Sequence, residues 1–180
     1  MGVVGSPQTL SEADRRTVAL WAADCAERAL PLFEAEAPSD ARPADAIARA
    51  KAFGRGELDA AGQIRQRFVA GRAASAVVGP AAVAAARSAA QASGVAHMGA
   101  HALGAAAYGA KAAGLASGED AIDAEISWQL DHMTDPVRTA LRRLPPRGED
   151  PAGPLGSGLL ASGVLGSIIG KLQAGLNELD

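Results

Sequence analysis

The sequence predicts an all-α protein, a bundle of six or seven helices around one long central helix. Apolar residues recur at spacings of three and four along most of the chain, and Pro and Gly interrupt this pattern at helical lengths. No stretch alternates apolar and polar residues for long enough to indicate a strand. Only 3% of the 180 residues are aromatic, although 48% are hydrophobic and 21 are Gly, so small side chains and close backbone contacts must build the core. Tightly packed helices satisfy that requirement.

The first predicted helix begins at about Glu12. Ser11 followed by Asp14 resembles an N-terminal cap, and Trp21 belongs to the apolar pattern that follows. Pro31 is expected to kink or end this helix, because proline lacks the amide hydrogen that a helix interior requires.

Two further helices are expected before the centre of the chain. Pro43 suits the first turn of the second helix, which Gly54 and Gly56 close. The third helix is predicted to run from Glu57 to Gly79.

The predicted central helix runs from Pro80 to Leu115 and consists mainly of Ala and Gly. At about 100° per residue, one side of it collects the larger polar residues Arg87, His97, His101 and Tyr108. We call these four residues the polar seam. The opposite side is small and apolar, so neighbouring helices can pack closely against it.

The later part of the chain is predicted to form further helices. Ser117 to Asp120 repeats the capping pattern and starts one of them. Asp135 is expected to cap a short helix at Pro136, which the Pro145-Pro146 pair ends.

Composition divides the chain into a helical domain over residues 1–146, a Pro/Gly-rich linker over 147–158 and an amphipathic C-terminal helix over 159–180. The apolar residues of the last segment recur at helical spacing and include Leu160, Val164, Leu165, Ile168, Ile169 and Leu172. This helix either docks on the body of its own chain or serves as an assembly or targeting tag, which would allow a homo-oligomer.

Charge and cysteine content exclude several classes of protein. The net charge of −3 and the scattered Lys and Arg residues disfavour a nucleic-acid partner. Cys25 is the only cysteine, so neither an internal disulfide nor a Cys-based zinc site is expected. Met1 to Leu10 lacks the pattern of a signal peptide, and charged or polar residues interrupt Pro80 to Leu115. We therefore expect the cytoplasm and no transmembrane segment.

A metal site at His97 and His101 is an alternative interpretation of the polar seam. At positions i and i+4 of one helix, the two imidazoles could bind the same metal ion. A third ligand would have to come from another helix, and the candidates are Asp24, Glu125, Asp131 and His132. Nothing in the sequence brings these together, so we predict no metal and no cofactor, and interpret the seam as a pocket wall or an organising contact.

The two tryptophans and Asp24 are expected beside the central helix. Trp21 and Trp128 lie on the apolar sides of their helices, where they would fill the space left by alanines. Asp24 lies within one turn of Trp21 and Cys25, at the edge of the predicted core. A carboxylate in that position needs a partner, such as Arg87 or a histidine of the seam.

Several short segments together resemble a known family. They are Trp21–Ala26, Arg42-Pro43 with Ala46-Ile47, Ala96-His97, His101–Ala106, Tyr108, Trp128-Gln129 and Leu144-Pro145. This combination is similar to the immunity proteins of bacterial polymorphic toxin systems, and in particular to the all-helical family numbered fifth among them. The resemblance covers about Leu20 to Pro146 and implies a cytoplasmic protein that binds and neutralises a cognate toxin.

The resemblance carries over no catalytic residue. The candidate binding residues that lie in the matching segments or beside them are Asp24, His97, His101, Tyr108 and Trp128. Helical spacing adds Arg87 to this set. The first hypothesis is a non-enzymatic binding protein that covers a toxin surface with an exposed acidic patch. The second hypothesis is a helical protein that binds a small molecule or a metal, and that could be an enzyme, with the seam and Asp24 as its pocket. The third is that the C-terminal helix serves as an assembly or targeting tag.

Overall fold

A computed structural model describes residues 5–66 and 68–179 of the chain and confirms the all-α bundle. These residues form helices and connecting turns without a strand. In chain order the helices are α1 (Glu12–Glu34), α2 (Arg42–Gly54), α3 (Ala60–Gln66), α4 (Val69–Ala73), α5 (Pro80–Gly94), α6 (His101–Ser117), α7 (Glu119–Asp131), α8 (Asp135–Leu141) and α9 (Gly163–Glu178). Two 3-10 turns lie at Ala74–Ala76 and Leu159–Ala161.

The centre of the bundle is the pair α5 and α6, which run antiparallel and pack more extensively than any other two helices in the described chain. The Ser88 hydroxyl on α5 donates to the Ala105 carbonyl on α6 over 2.7 Å. Helix α1 packs across both helices of the pair, and Gly109 on α6 lies against the Cys25 carbonyl of α1. A Cβ at Gly109 would lie 3.2 Å from that oxygen, so a larger residue would press on the α1 backbone and glycine favours the close approach.

The prediction of one continuous central helix was wrong, because the chain turns back over residues 95–100. The amides of Gly99 and Ala100 donate to the carbonyls of Thr9 and Gln8 over 2.9 and 3.0 Å. These bonds come from the N-terminal segment and replace the bonds that would have continued the helix. The turn folds α6 back along α5, and His97 lies in the turn instead of on a helix.

Other helix boundaries also depart from the predictions. The third predicted helix is divided into α3, α4 and a 3-10 turn, and it crosses residue 67, which lies outside the described residues. Thr134, not Asp135, caps α8, because its hydroxyl accepts from the Val137 amide. Helix α1 keeps Pro31 in its last turns, and Pro43 lies at the start of α2 as expected.

The C-terminal helix α9 packs against α6 and α7. The residues that it buries there share one face and are Leu165, Gly166, Ile168, Ile169, Leu172 and Leu176. Within residues 147–158, Leu155 is fully buried, and its amide donates to the buried Gln8 side chain over 2.9 Å. The division of the chain at residues 146 and 158 stays a prediction, and the predicted end of the last helix at residue 180 lies outside the described residues.

No helix among the described residues is both long and apolar enough to cross a bilayer.

Candidate functional site

The six candidate residues occupy three places in the fold. The four residues of the polar seam lie along the α5–α6 pair, at the two ends of one face. Asp24 lies on α1 and Trp128 on α7, away from both grooves of the seam. The structure therefore divides the seam between two grooves on one face and leaves Asp24 and Trp128 outside both.

The first end of the seam is a groove of about 340 Å³. It is lined by Phe68, Gly71, Ala90, Gln91, Gly94, His97 and His101. The Nδ1 atom of His101 lies 2.8 Å from the Oε1 atom of Gln91, which ties α6 to α5. His97 is exposed in the turn that joins the two helices.

The second end of the seam is a groove of about 290 Å³. It is lined by Pro80, Val83, Ala84, Arg87, Tyr108, Lys111 and Leu115. Burial raises the pKa of the Tyr108 phenol above its usual value, and the positive charge of the neighbouring Arg87 opposes that rise. Tyr108 is 4% exposed, so it forms the wall of the groove while the cations stand at its rim.

Gly104 lies between the two grooves. A Cβ at this position would collide with the amide end of the Gln91 side chain and would lie 3.0 Å from Leu160 Cδ1. Glycine is therefore required here if Gln91 is to reach His101.

Three of the four residues proposed to complete a metal site, Asp24, Glu125 and His132, have partners elsewhere. Within the described ranges, no group of three or more His, Cys, Asp and Glu residues could hold a metal ion. Of the expected third ligands, Glu125 pairs with Arg28, and His132 stacks on Trp128.

The prediction that Asp24 pairs with Arg87 or with a histidine of the seam was wrong. Its carboxylate lies 3.2 Å from the Lys51 ammonium on α2, which also contacts Glu27 at 2.7 Å. The Asp24 side chain is about half exposed, because it stands on the outer side of α1 and not at the edge of the core. Arg87 is out of its reach because α1 packs on a different side of the α5–α6 pair.

A second polar cluster joins α1 to α7, and the sequence analysis missed it. Arg28 makes two hydrogen bonds to the Glu125 carboxylate, of 2.7 and 2.9 Å, and its guanidinium lies 4.0 Å from the centre of the Trp128 ring. The His132 ring stacks on Trp128 with the ring centres 3.9 Å apart and the planes 20° apart. Since both groups lie this close to the ring centre, they cover its opposite faces. We call these four residues the Trp128 stack.

Only part of the Trp128 stack left a signal in the sequence. His132 follows Trp128 by four residues, so the two side chains share one side of α7. Arg28 is 97 residues from Glu125, and no local pattern connects them.

Cys25 lies fully buried beneath the Trp128 stack. Burial raises the pKa of its thiol well above the usual range, and the negative charges of Glu125 and Asp24 add to this. A protonated, inaccessible thiol is a poor nucleophile. The neighbouring Trp21 fills the core as expected, and its indole donates to the Gln129 carbonyl over 2.9 Å.

The comparison with known families identifies the chain. The family model of the Imm-5 like putative immunity protein matches residues 8–136, which include both grooves of the polar seam and the Trp128 stack and end within α8. No curated protein matches the chain. No solved structure matches it. Because the family model covers well over half of the sequence, the chain belongs to the Imm-5 like putative immunity protein family.

Proposed function

We propose that the chain binds a cognate bacterial protein toxin and neutralises it by occlusion, without catalysing a reaction. The observation that carries this proposal is the family match over residues 8–136, which spans all six candidate binding residues. An immunity function requires a partner surface on the protein, and the α5–α6 face offers grooves bordered by charged and apolar side chains.

The geometry of the candidate residues supports binding more than chemistry. Cys25, the one thiol of the chain, is buried and its raised pKa keeps it protonated. His97 and His101 line one groove, whereas Arg87 and Tyr108 line the other. A surface of this kind can recognise a partner along its length, while an acid–base site needs its groups to converge on one reacting atom.

The first experiment is co-expression in bacteria with the toxin encoded beside the gene. The expected result is restored growth and a complex of the two proteins that survives size-exclusion chromatography. An unrelated toxin expressed from the same vector is the control and should remain lethal. If the adjacent toxin is neither bound nor neutralised, the proposed function is wrong.

A titration separates occlusion from enzymatic inactivation. Purified protein is added in steps to a fixed amount of toxin, and the remaining toxin activity is measured. Occlusion predicts a break at the molar ratio of the complex, because each molecule blocks only the toxin it holds. Loss of toxin activity at far smaller ratios would contradict a non-enzymatic mechanism.

A further inference from the structure

The outer side of the α5–α6 pair, which we call the seam face, consists of the two grooves that hold the polar seam, with Gly104 and the adjacent Leu160 between them. We infer that the seam face is the docking surface for the toxin, and that it receives an acidic segment that also carries apolar side chains. This inference rests on the proposed function and adds to it the place and the chemistry of the contact.

The charges of the seam face favour an acidic partner. Arg87 and Lys111 border one groove, and neither lies within ion-pair distance of a carboxylate of the described residues. The residues that line the two grooves include these two cations and two histidines but no Asp or Glu. Elsewhere the chain pairs cations with its own acids, as at Arg28 and Lys51.

The local charge is opposite to the charge of the whole chain. A net charge of −3 led to the expectation of an acidic contact patch. Coulomb interactions in salt solution act over about 8–10 Å, so a partner docking in the grooves responds mainly to the charges near them. Those charges include the Glu36 carboxylate, which accepts from the Gly79 amide next to Pro80, but Arg87 and Lys111 outnumber it at the second groove. The seam face therefore selects a negatively charged segment in spite of the overall charge.

Each end of the seam face also exposes an apolar side chain. Phe68 borders the first groove and is 59% exposed, and Leu115 borders the second and is 49% exposed. Small residues such as Gly71 and Ala84 line the same grooves and leave room beside them. Large apolar or aromatic side chains in such recesses are the usual anchors of protein interfaces.

The length of the seam face suits a short element of the partner. From His101 to Leu115, α6 rises about 21 Å at 1.5 Å per residue. An extended segment of about six residues, or a helix of about four turns, covers this distance. The bond between His101 and Gln91 holds the two helices in register before the partner arrives, which lowers the cost of ordering the surface.

The deciding experiment reverses the charges of the groove in the full chain. The double variant Arg87→Glu/Lys111→Glu is compared with Arg55→Glu/Lys171→Glu, which also replaces one Arg and one Lys and makes the same change in net charge at sites outside the seam face. The control breaks only pairs in which both side chains are more than half exposed, with Glu57 and Asp123, and such pairs contribute little to stability. Circular dichroism and thermal melting establish that both variants fold.

The expected result is a large and local loss of affinity for the adjacent toxin, measured by calorimetry. The groove variant should bind at least about tenfold more weakly, and the control should stay within about twofold of the wild type. Wild-type affinity should also fall as NaCl is raised, since the contacts are charged. If the wild type binds the toxin and both variants bind equally well, the seam face is not the docking surface, although the proposed function stands.

A second arm tests the seam face without the toxin. A synthetic peptide of Glu and Leu residues and its Lys/Leu counterpart are titrated into isotope-labelled protein and followed by NMR. The acidic peptide should shift the resonances of His97, His101 and Tyr108 in the wild type and not in the groove variant, and the basic peptide should shift none of them. If the wild type fails to bind the toxin, the proposed function falls, and this arm alone decides the inference. Equal shifts from both peptides, or none from the acidic one, would overturn it.

Discussion

The seam face and the Trp128 stack are both polar clusters at helix junctions, but they differ in how their charges are satisfied. In the stack, Arg28 finds a carboxylate and an aromatic ring within its own chain, and His132 covers the other face of that ring. On the seam face, Arg87 and Lys111 have no carboxylate partner among the described residues. A cluster whose charges pair within the chain stabilises the fold, whereas cations without a carboxylate partner beside a groove can still bind an acidic group.

The largest effect is expected from removing the centre of the Trp128 stack. Trp128→Ala should lower the free energy of unfolding by about 2 kcal/mol, less than a fully buried tryptophan costs, because Trp128 is only half-buried. Arg28 and His132 would lose their stacking partner together. Chemical denaturation measures the loss, and toxin affinity should stay unchanged.

Trp128→Phe is the matched control for that change. A phenyl ring keeps a surface for Arg28 and His132, so this variant should lose less than half as much stability. If Trp128→Ala kept its stability but lost toxin binding, the roles assigned to the two regions would be reversed.

The next largest change in stability is expected at Gly104, which lies between the two grooves of the seam face. Gly104→Ala should cost about 1 kcal/mol, because the new methyl group displaces the Gln91 side chain and crowds Leu160. The NMR signals of the His101 ring should shift as its bond to Gln91 breaks. Thermal unfolding gives the stability.

Gly71→Ala, at the first groove, is the control for a glycine substitution on the seam face. A Cβ at Gly71 meets its nearest neighbour, Ala90 Cβ, at an ordinary 3.9 Å. This variant should gain about 0.5 kcal/mol through the lower entropy of its unfolded chain. A loss as large as that of Gly104→Ala would show that the collision with Gln91 is not the cause.

Alkaline pH should lower the stability of the protein through both regions, because the Trp128 stack and the seam face each lie against one acidic group with a raised pKa. Cys25 lies under the Trp128 stack and Tyr108 forms the wall of a groove. A raised pKa means that the folded state holds the proton more tightly than the unfolded chain does, so this contribution to stability is fully present at neutral pH. The contribution is lost as the pH rises above the pKa of the group in the unfolded chain, which is about 8.5 for a thiol and about 10 for a phenol.

The measurement is the free energy of unfolding between pH 7 and 10. Stability should fall with pH, first through Cys25, and Cys25→Ala should flatten the decline below pH 10 whatever its effect at pH 7. An unchanged slope in Cys25→Ala would mean that the thiol does not titrate differently in the two states.

The smallest effect on stability is expected from the variant that matters most for binding. Arg87→Glu/Lys111→Glu should change the free energy of unfolding by no more than about 0.5 kcal/mol, because neither cation has a carboxylate partner to lose and Arg87, which interacts with the Tyr108 phenol, is exposed. Urea denaturation provides the value. A loss comparable to that of Trp128→Ala would show that these cations support the fold and do not merely border a groove.

Local sequence patterns were sufficient for the helical class and for several helix boundaries. Ser11 caps α1 and Pro43 begins α2, because caps and proline act on neighbouring residues only. The apolar face of α9 was visible for the same reason, since side chains three and four apart lie on one side of a helix. The combination of short segments between Trp21 and Pro145 also indicated the family, which the match over residues 8–136 confirms.

The tertiary structure decided where the central segment turns and which residues meet. The turn over residues 95–100 is fixed by carbonyls of Thr9 and Gln8, some 90 residues away, which accept the amides of Gly99 and Ala100. Arg87 and Tyr108 still share a face, but across two antiparallel helices instead of along one. Arg28 reaches Trp128 only because α1 and α7 both pack on α6. Periodicity reports the side of a helix, whereas a contact between distant residues depends on how whole helices pack.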